Sequence, residues 1–378
     1  MFRKVLLTAV AAVTAAACSE PVTSPDEGTN DGAPAFSLGE SRPGAVYTMS
    51  NAVAGNQIIV FARSADGTLS DQKEFATGGT GTGGGLGSQG ALILSKGGQW
   101  LFAVNAGSDE LSVFRVNASG LQLTDRIGSN GDLPISVTNH GSLVYVLNAG
   151  GAGNIAGFRV STGGKLSPIQ GSVQPLSSGA SDPAQVSFTP DGSQLVVTEK
   201  ATNRILTYEV NESGAAAAPV VHAASGITPF GFAFAGRNTL IVSEAFGGAA
   251  NASATSSYHV AGANFNVVSA SVPTTETSAC WVIVTNNSRI AFVSNTAGGS
   301  VTAYGVGSDG RLNRIAQDGV SALSPSPADP ALSIDSRFLY IRNGNSEITA
   351  YRVGTEGSLT AIAGVSGLPA GIAGLAAK

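Results

Sequence analysis

Charge is scarce in this chain. Only 12% of its 378 residues are Asp, Glu, Lys or Arg, against roughly 25% in an ordinary soluble domain. The formal net charge is −5 and no run of Lys or Arg exceeds Arg3-Lys4. A nucleic acid needs a basic face, so that partner is excluded as a main target. Histidine and cysteine are scarcer still, at three and two. No His-Glu-x-x-His, Cys-x-x-Cys, calcium-loop spacing or Gly-x-Ser-x-Gly elbow occurs, so the motifs of zinc, calcium and α/β-hydrolase sites are missing. No metal or cofactor is expected. There is no amphipathic helix of useful length, and the longest apolar run, Val5 to Ala17, has 13 residues. That is too short to cross ~30 Å of hydrocarbon as a helix.

The same run follows a basic pair and ends in Ala15-Ala16-Ala17-Cys18. It resembles a bacterial lipobox, which implies a signal peptide over residues 1–17 and a diacylated Cys18 as the mature N-terminus. Ser19 after the cysteine points to the outer membrane, on its periplasmic side or at the cell surface. With residues 1–17 gone and Cys18 acylated, Cys280 is the one remaining thiol, and a fold held by packing without an intrachain disulfide is expected. Residues 18–42 carry Pro21, Pro25 and Pro34 among acidic residues with no apolar period, the composition of a solvated tether.

What is abundant is glycine, 50 of 378 residues or about 13%, together with a repeat. From residue 43 onward a short apolar run ends in a polar residue seven times: Asn51, Asn105, Asn148, Glu199, Glu244, Asn295 and Asn343. Successive members are 43 to 54 residues apart. A second run follows each with one aromatic: Phe61, Phe114, Phe158, Tyr208, Tyr258, Tyr304 and Tyr351. A third column precedes the first by 13 to 16 residues at Pro134, Pro183, Pro229 and Pro330, with Ala279 and Gln89 standing in. Proline can open a strand because its missing N–H costs no ladder bond there. Four short strands per unit of about 48 residues make a propeller blade. The chain therefore reads as all-β, a seven-bladed propeller over residues 43–378 with four-stranded antiparallel blades. The stretch Leu368 to Gly374 has the innermost-strand pattern and is expected to complete blade 1. The aromatics are expected to pack between adjacent sheets.

Gly79-Thr80-Gly81-Thr82-Gly83-Gly84 matches Gly-x-Gly-x-x-Gly, but more strand follows where a dinucleotide site needs a helix. A flexible loop between blades is expected instead. Glu199 and Glu244 stand out in the polar column, where Asn is a natural turn former and Glu is not. They are the candidate catalytic residues: carboxylates in adjacent blades could raise each other's pKa or bind a cation or polyol. Glu199 could also pair with Lys200 or Arg204.

Pro183 to Leu195 (Pro-x-x-x-x-Phe-x-Pro-Asp-Gly-x-x-Leu) and the Tyr304-Gly305-Val306 tail followed by Gly310-Arg311-Leu312 resemble the blade signature of the seven-bladed propeller lactonases, which include 6-phosphogluconolactonases and carboxymuconate-lactonising enzymes. The resemblance implies a Pro-Arg-His strand opening before a second strand that ends in Glu. Glu244 matches that acidic residue, but Phe230 and Gly231 stand where Arg and His would be, and Pro183-Ala184 replaces a Pro-His. Lactone opening develops charge on oxygen and needs cations or donors to hold it. The leading expectation is a lipid-anchored module that binds a protein or glycan on its loop face, its lactonase site degenerate. The alternative is a hydrolase that opens a neutral lactone with Glu244 as general base.

Overall fold

A computed structural model describes residues 44–378; the lipobox, Cys18 and the tether lie outside the described residues. Seven antiparallel sheets follow one another along the chain. Blade 1 holds Gly44–Met49, Gln57–Arg63 and Leu69–Ala76. Blade 2 runs Leu92–Leu94, Trp100–Asn105, Glu110–Asn117 and Gly120–Gly128. Blade 4 runs Pro183–Phe188, Gln194–Glu199, Arg204–Glu209 and Val220–Ala223. Blade 5 runs Pro229–Ala235, Thr239–Glu244, Ala254–Ala261 and Asn264–Pro273. Blades 3, 6 and 7 repeat the pattern from Pro134, Ala279 and Pro327. The one helical element among the described residues is a three-residue 3-10 turn, Phe246–Gly248.

The second strand of each blade is buried along nearly its whole length because a neighbouring blade covers each of its faces. Trp100–Asn105 and Gln194–Glu199 are buried at every position. Outermost strands are polar instead, as in Leu69–Ala76 with Asp71, Lys73 and Glu74, which blunts an edge that could pair with another chain. The column aromatics are all buried, as expected. Three tyrosines do more than pack. The hydroxyls of Tyr208, Tyr304 and Tyr351 donate to the carbonyls of Pro175, Val272 and Leu323, at 3.1, 2.9 and 2.5 Å, each on the preceding blade.

Closure pairs the two ends of the propeller. Ala373–Ala377 runs antiparallel beside Gly44–Met49, with Tyr47 opposite Ala376 and Thr48 opposite Leu375. The expected strand at Leu368–Gly374 is therefore corrected to a later start. Leu368 and Ile372 are buried as its lead-in against blade 7, and the Leu368 N–H donates to Ser346 at 3.1 Å.

The proline column is also corrected in one blade. Pro327, not Pro330, sits opposite Asn343, while Pro330 lies mid-strand opposite Ile341. In five blades the residue paired with the polar column is followed by a register shift: after Pro134, Pro183, Pro229, Ala279 and Pro327. Such bulges re-aim side chains. Here they turn out Ala184, Phe230, Cys280 and Ala328, which gather in one buried cluster with Trp281.

Candidate functional site

All seven residues of the polar column are fully buried, each at 0% exposure. Five of them, Asn51, Asn148, Glu199, Glu244 and Asn343, latch the loops that join one blade to the next. Asn51 donates to Gly84 O at 2.5 Å and accepts from the Thr82 N–H at 3.1 Å. Asn148 donates to Ser129 O at 3.1 Å. Glutamate does the same work as an acceptor. Glu199 takes the Ser177 N–H at 2.8 Å, the Ser177 hydroxyl, and the Thr202 hydroxyl at 2.5 Å. Glu244 takes the Gly226 N–H at 2.9 Å and the hydroxyls of Ser256 and Ser271 at 2.5 and 2.7 Å.

Ser256 and Ser271 lie on the third and fourth strands of blade 5, so the Glu244 carboxylate points outward across its sheet, away from the axis. Burial pushes its pKa up, against the pull of the three donors. No group bonds both carboxylates: the partners of Glu199 belong to blade 4 and the loop before it, those of Glu244 to blade 5 and the loop before it. Lys200 does not turn to Glu199 either. It pairs with Asp182 at 3.1 Å and donates to Gly87 O at 2.8 Å.

The ring axis is filled by the chain itself. After Gly84 the glycine-rich loop turns inward, and its last residues thread between the innermost strands. Gln89 receives the Val282 N–H at 2.9 Å and donates to Val282 O at 2.8 Å, in blade 6 across the ring. Its backbone N–H donates to Ala184 O at 3.0 Å in blade 4. The Trp281 indole N–H donates to Ser88 O at 2.8 Å, and the Ser88 hydroxyl to Ile135 O at 2.7 Å. The expectation of a flexible loop is corrected: the segment lies between blades but is tied to blades 3, 4 and 6. Its glycines let backbones touch. A Cβ on Gly81 would lie 2.1 Å from the Asn51 backbone.

Phe230 and Trp281 pack beside this plug with ring centroids 4.9 Å apart. The Lys200 Nζ sits 5.0 Å from the centre of the Phe230 ring. A Cβ on Gly231 would fall 2.1 Å from Gln89 Oε1 and 2.7 Å from the Cys280 carbonyl oxygen, so the close approach of the blade 6 backbone calls for glycine at 231. This is a physical reason for glycine where the resemblance implies histidine. Cys280 is fully buried in the same cluster.

Two charged features take roles that the sequence did not assign. Lys200, the only charged residue directly after a column position, faces the axial cluster rather than Glu199. Burial lowers its pKa while Asp182 opposes the shift. In blade 7, Asp329 and Arg342 form a buried ion pair at 2.8 Å with side-chain exposures of 5% and 3%. Nothing in the sequence spacing marked it.

A large open cleft lies at the other end of the propeller. It is about 910 Å³, between blades 5 and 6, and is lined by Arg237, Arg289, His259 and several amides and hydroxyls. The three histidines sit apart: His140 against Phe188, His222 stacked on Phe265 at 4.1 Å, and His259 at this cleft.

The sequence model of the family described as "Lactonase, 7-bladed beta-propeller" matches residues 53–178. That match ends within blade 3, before Glu199 and Glu244. No curated protein sequence matches the chain. Solved structures resemble it over most of its length. A protein from Lactobacillus plantarum superposes with TM-score 0.71 at 18% identity, covering 89% of this chain and 99% of that one. A Bacteroides uniformis protein provisionally named a 6-phosphogluconolactonase gives 0.68 at 14% identity, covering 88% and 99%. The periplasmic gluconolactonase of Pseudomonas aeruginosa gives 0.67 at 17% identity, covering 86% and 98%. At these identities the likeness is one of fold. The chain has the seven-bladed lactonase-type propeller fold.

Proposed function

We propose that this protein is a non-catalytic binding propeller on a lactonase-type scaffold. One observation carries the reading: the axis is occupied by the Ser88-Gln89 segment and by Phe230 and Trp281, and the Glu244 carboxylate has no exposed surface. A general base must come within hydrogen-bond reach of the proton it takes, and Glu244 is held by three internal donors instead.

The test is hydrolysis of glucono-δ-lactone and γ-butyrolactone by purified protein, beside Glu244→Gln. We expect rates at the spontaneous background in both. Hydrolysis well above background that falls on the order of 10²-fold or more in Glu244→Gln, the size expected of a lost general base, would support the second reading: a hydrolase of a neutral lactone with Glu244 as base. Two observations favour that alternative, the raised pKa of Glu244 and the fold shared with proteins named as lactonases. Lys200 would be its axial cation.

The proposal includes export and anchoring through an acylated Cys18. Intact mass should show loss of residues 1–17 and gain of a diacylglyceryl group, and Cys18→Ser should leave the membrane fraction. Unchanged fractionation of Cys18→Ser would remove the anchor.

A further inference from the structure

We propose that the cleft between blades 5 and 6 binds a short acidic saccharide, its carboxylates held by Arg237 and Arg289. This goes beyond the reading above and does not depend on it. The cleft is formed by the turns that join the first two strands of blades 5 and 6, roofed by the hairpin Gly305 to Asn313. It lies at the far end of the strand Thr239–Glu244, roughly 17 Å from Glu244 at about 3.3 Å per residue.

The walls are fixed before any ligand arrives. The Gly236 N–H donates to Ser288 Oγ at 2.7 Å and ties the two turns together. The Ser257 hydroxyl donates to Gly310 O at 2.7 Å and ties the hairpin to blade 5. A site that needs no ordering on binding loses less affinity to entropy.

The charges point to an anion. Among the described residues, no ion pair or hydrogen bond engages the side chains of Arg237, Arg289 or His259. The acid in the lining, Asp309, is paired with Arg311 at 3.0 Å and does not neutralise them. Two unengaged guanidinia in one concavity are notable in a chain of net charge −5. Guanidinium binds carboxylate bidentately.

The rest of the lining selects the class. Amides of Asn238, Asn287 and Asn313 and neighbouring hydroxyls share the wall with about as much apolar surface, including Ala235 and Val306. A sugar, with hydroxyl edges and apolar ring faces, matches such a mixed wall; a purely aliphatic ligand leaves its amides unpaired. Guanidinium forks take phosphate as well as carboxylate, but no helix N-terminus in the lining adds to them, and the lining holds no free sheet edge to favour a peptide. The volume falls within the range of small-ligand sites, about 300–1,000 Å³.

The test is calorimetric titration of the purified protein with digalacturonate, with galactobiose as the neutral probe. We expect digalacturonate to bind, more weakly at high salt, and galactobiose not to bind at the same concentrations. The Arg237→Ala/Arg289→Ala variant should melt at the wild-type temperature and lose at least tenfold in affinity. Arg204→Ala, exposed on blade 4, should bind as wild type does. The proposal is overturned if digalacturonate fails to bind or galactobiose binds equally well. It is also overturned if the folded double variant keeps wild-type affinity, or if inorganic sulfate or a glutamate peptide competes at equal concentration. Lactone hydrolysis by the wild type would sink the non-catalytic reading and leave this site standing; failed titration would do the reverse.

Discussion

The two ends of the propeller treat polarity in opposite ways. At the end where the second strands finish, every column residue is buried and hydrogen-bonded, most of them to an incoming loop. A carboxylate there is a fastening, and the axis beside it is closed. At the end where the turns join first and second strands, guanidinia and amides face an open cleft between blades 5 and 6. The contrast teaches that residue type alone does not mark a site. Glu244 carries the chemistry of a base yet serves the backbone, whereas Arg237 and Arg289 fit no motif and remain available.

That contrast can be broken by mutation, and the largest effects are expected at the closed end. Trp281→Ala would open a cavity beside Phe230 and orphan the Ser88 carbonyl, costing about 3–5 kcal/mol by urea denaturation. Asp329→Ala would leave the Arg342 guanidinium without the carboxylate that it bonds at 2.8 and 3.0 Å. The cost of breaking a buried pair is about 3–5 kcal/mol. A loss below 1 kcal/mol in either variant would mean that the closed end is less tightly determined than its hydrogen bonds indicate.

Smaller effects sharpen the comparison. Gly231→Ala drives a methyl into Gln89 and should cost about 1–3 kcal/mol by overpacking. Glu244→Gln should cost about 1–3 kcal/mol, because an amide cannot accept from all three donors as a carboxylate does. The size of that loss depends on pH with a definite sign. The folded pKa of Glu244 is raised, so between the ordinary carboxylate range, about 4.3, and that higher value the folded state holds more protons than the unfolded one. Stability contributed by this group is therefore present at acid pH and lost as pH rises through the folded pKa. Wild type should lose its advantage over Glu244→Gln as pH is raised from about 4, in urea midpoints measured side by side. An advantage that grows with pH would contradict burial as the dominant cause. At the open end, Asp309→Ala breaks an exposed pair with Arg311 and should cost less than about 1 kcal/mol.

The blades, their order and their closure were legible in the sequence because strand alternation and the recurring polar, aromatic and proline positions are local signals repeated seven times. Legibility failed where two local answers were equally good. Pro327 and Pro330 both suit an inner strand with a free side, and only pairing with Asn343 decides between them. The final strand, Ala-Gly-Leu-Ala-Ala, has no polar alternation to fix its start. The axial plug was illegible for a different reason: Gln89 meets residues 143 and 193 positions away, and glycine content signals freedom without saying what the freedom is for. Glu199 and Glu244 were visible as exceptions in their column. Which way their side chains turn is set by donors on the third and fourth strands and on incoming loops, and spacing along one strand does not encode it.

The pairing of Ala373–Ala377 with Gly44–Met49 also dictates when the molecule can finish folding. Contacts this distant in sequence are slow to form, and the wheel stays split until residue 377 has left the ribosome. Until then the inward side of Gly44–Met49 offers unsatisfied amide and carbonyl groups to any passing strand. A truncation of even six residues from the C-terminal side would make that vulnerable interval permanent, and self-association rather than a smaller propeller is the expected product.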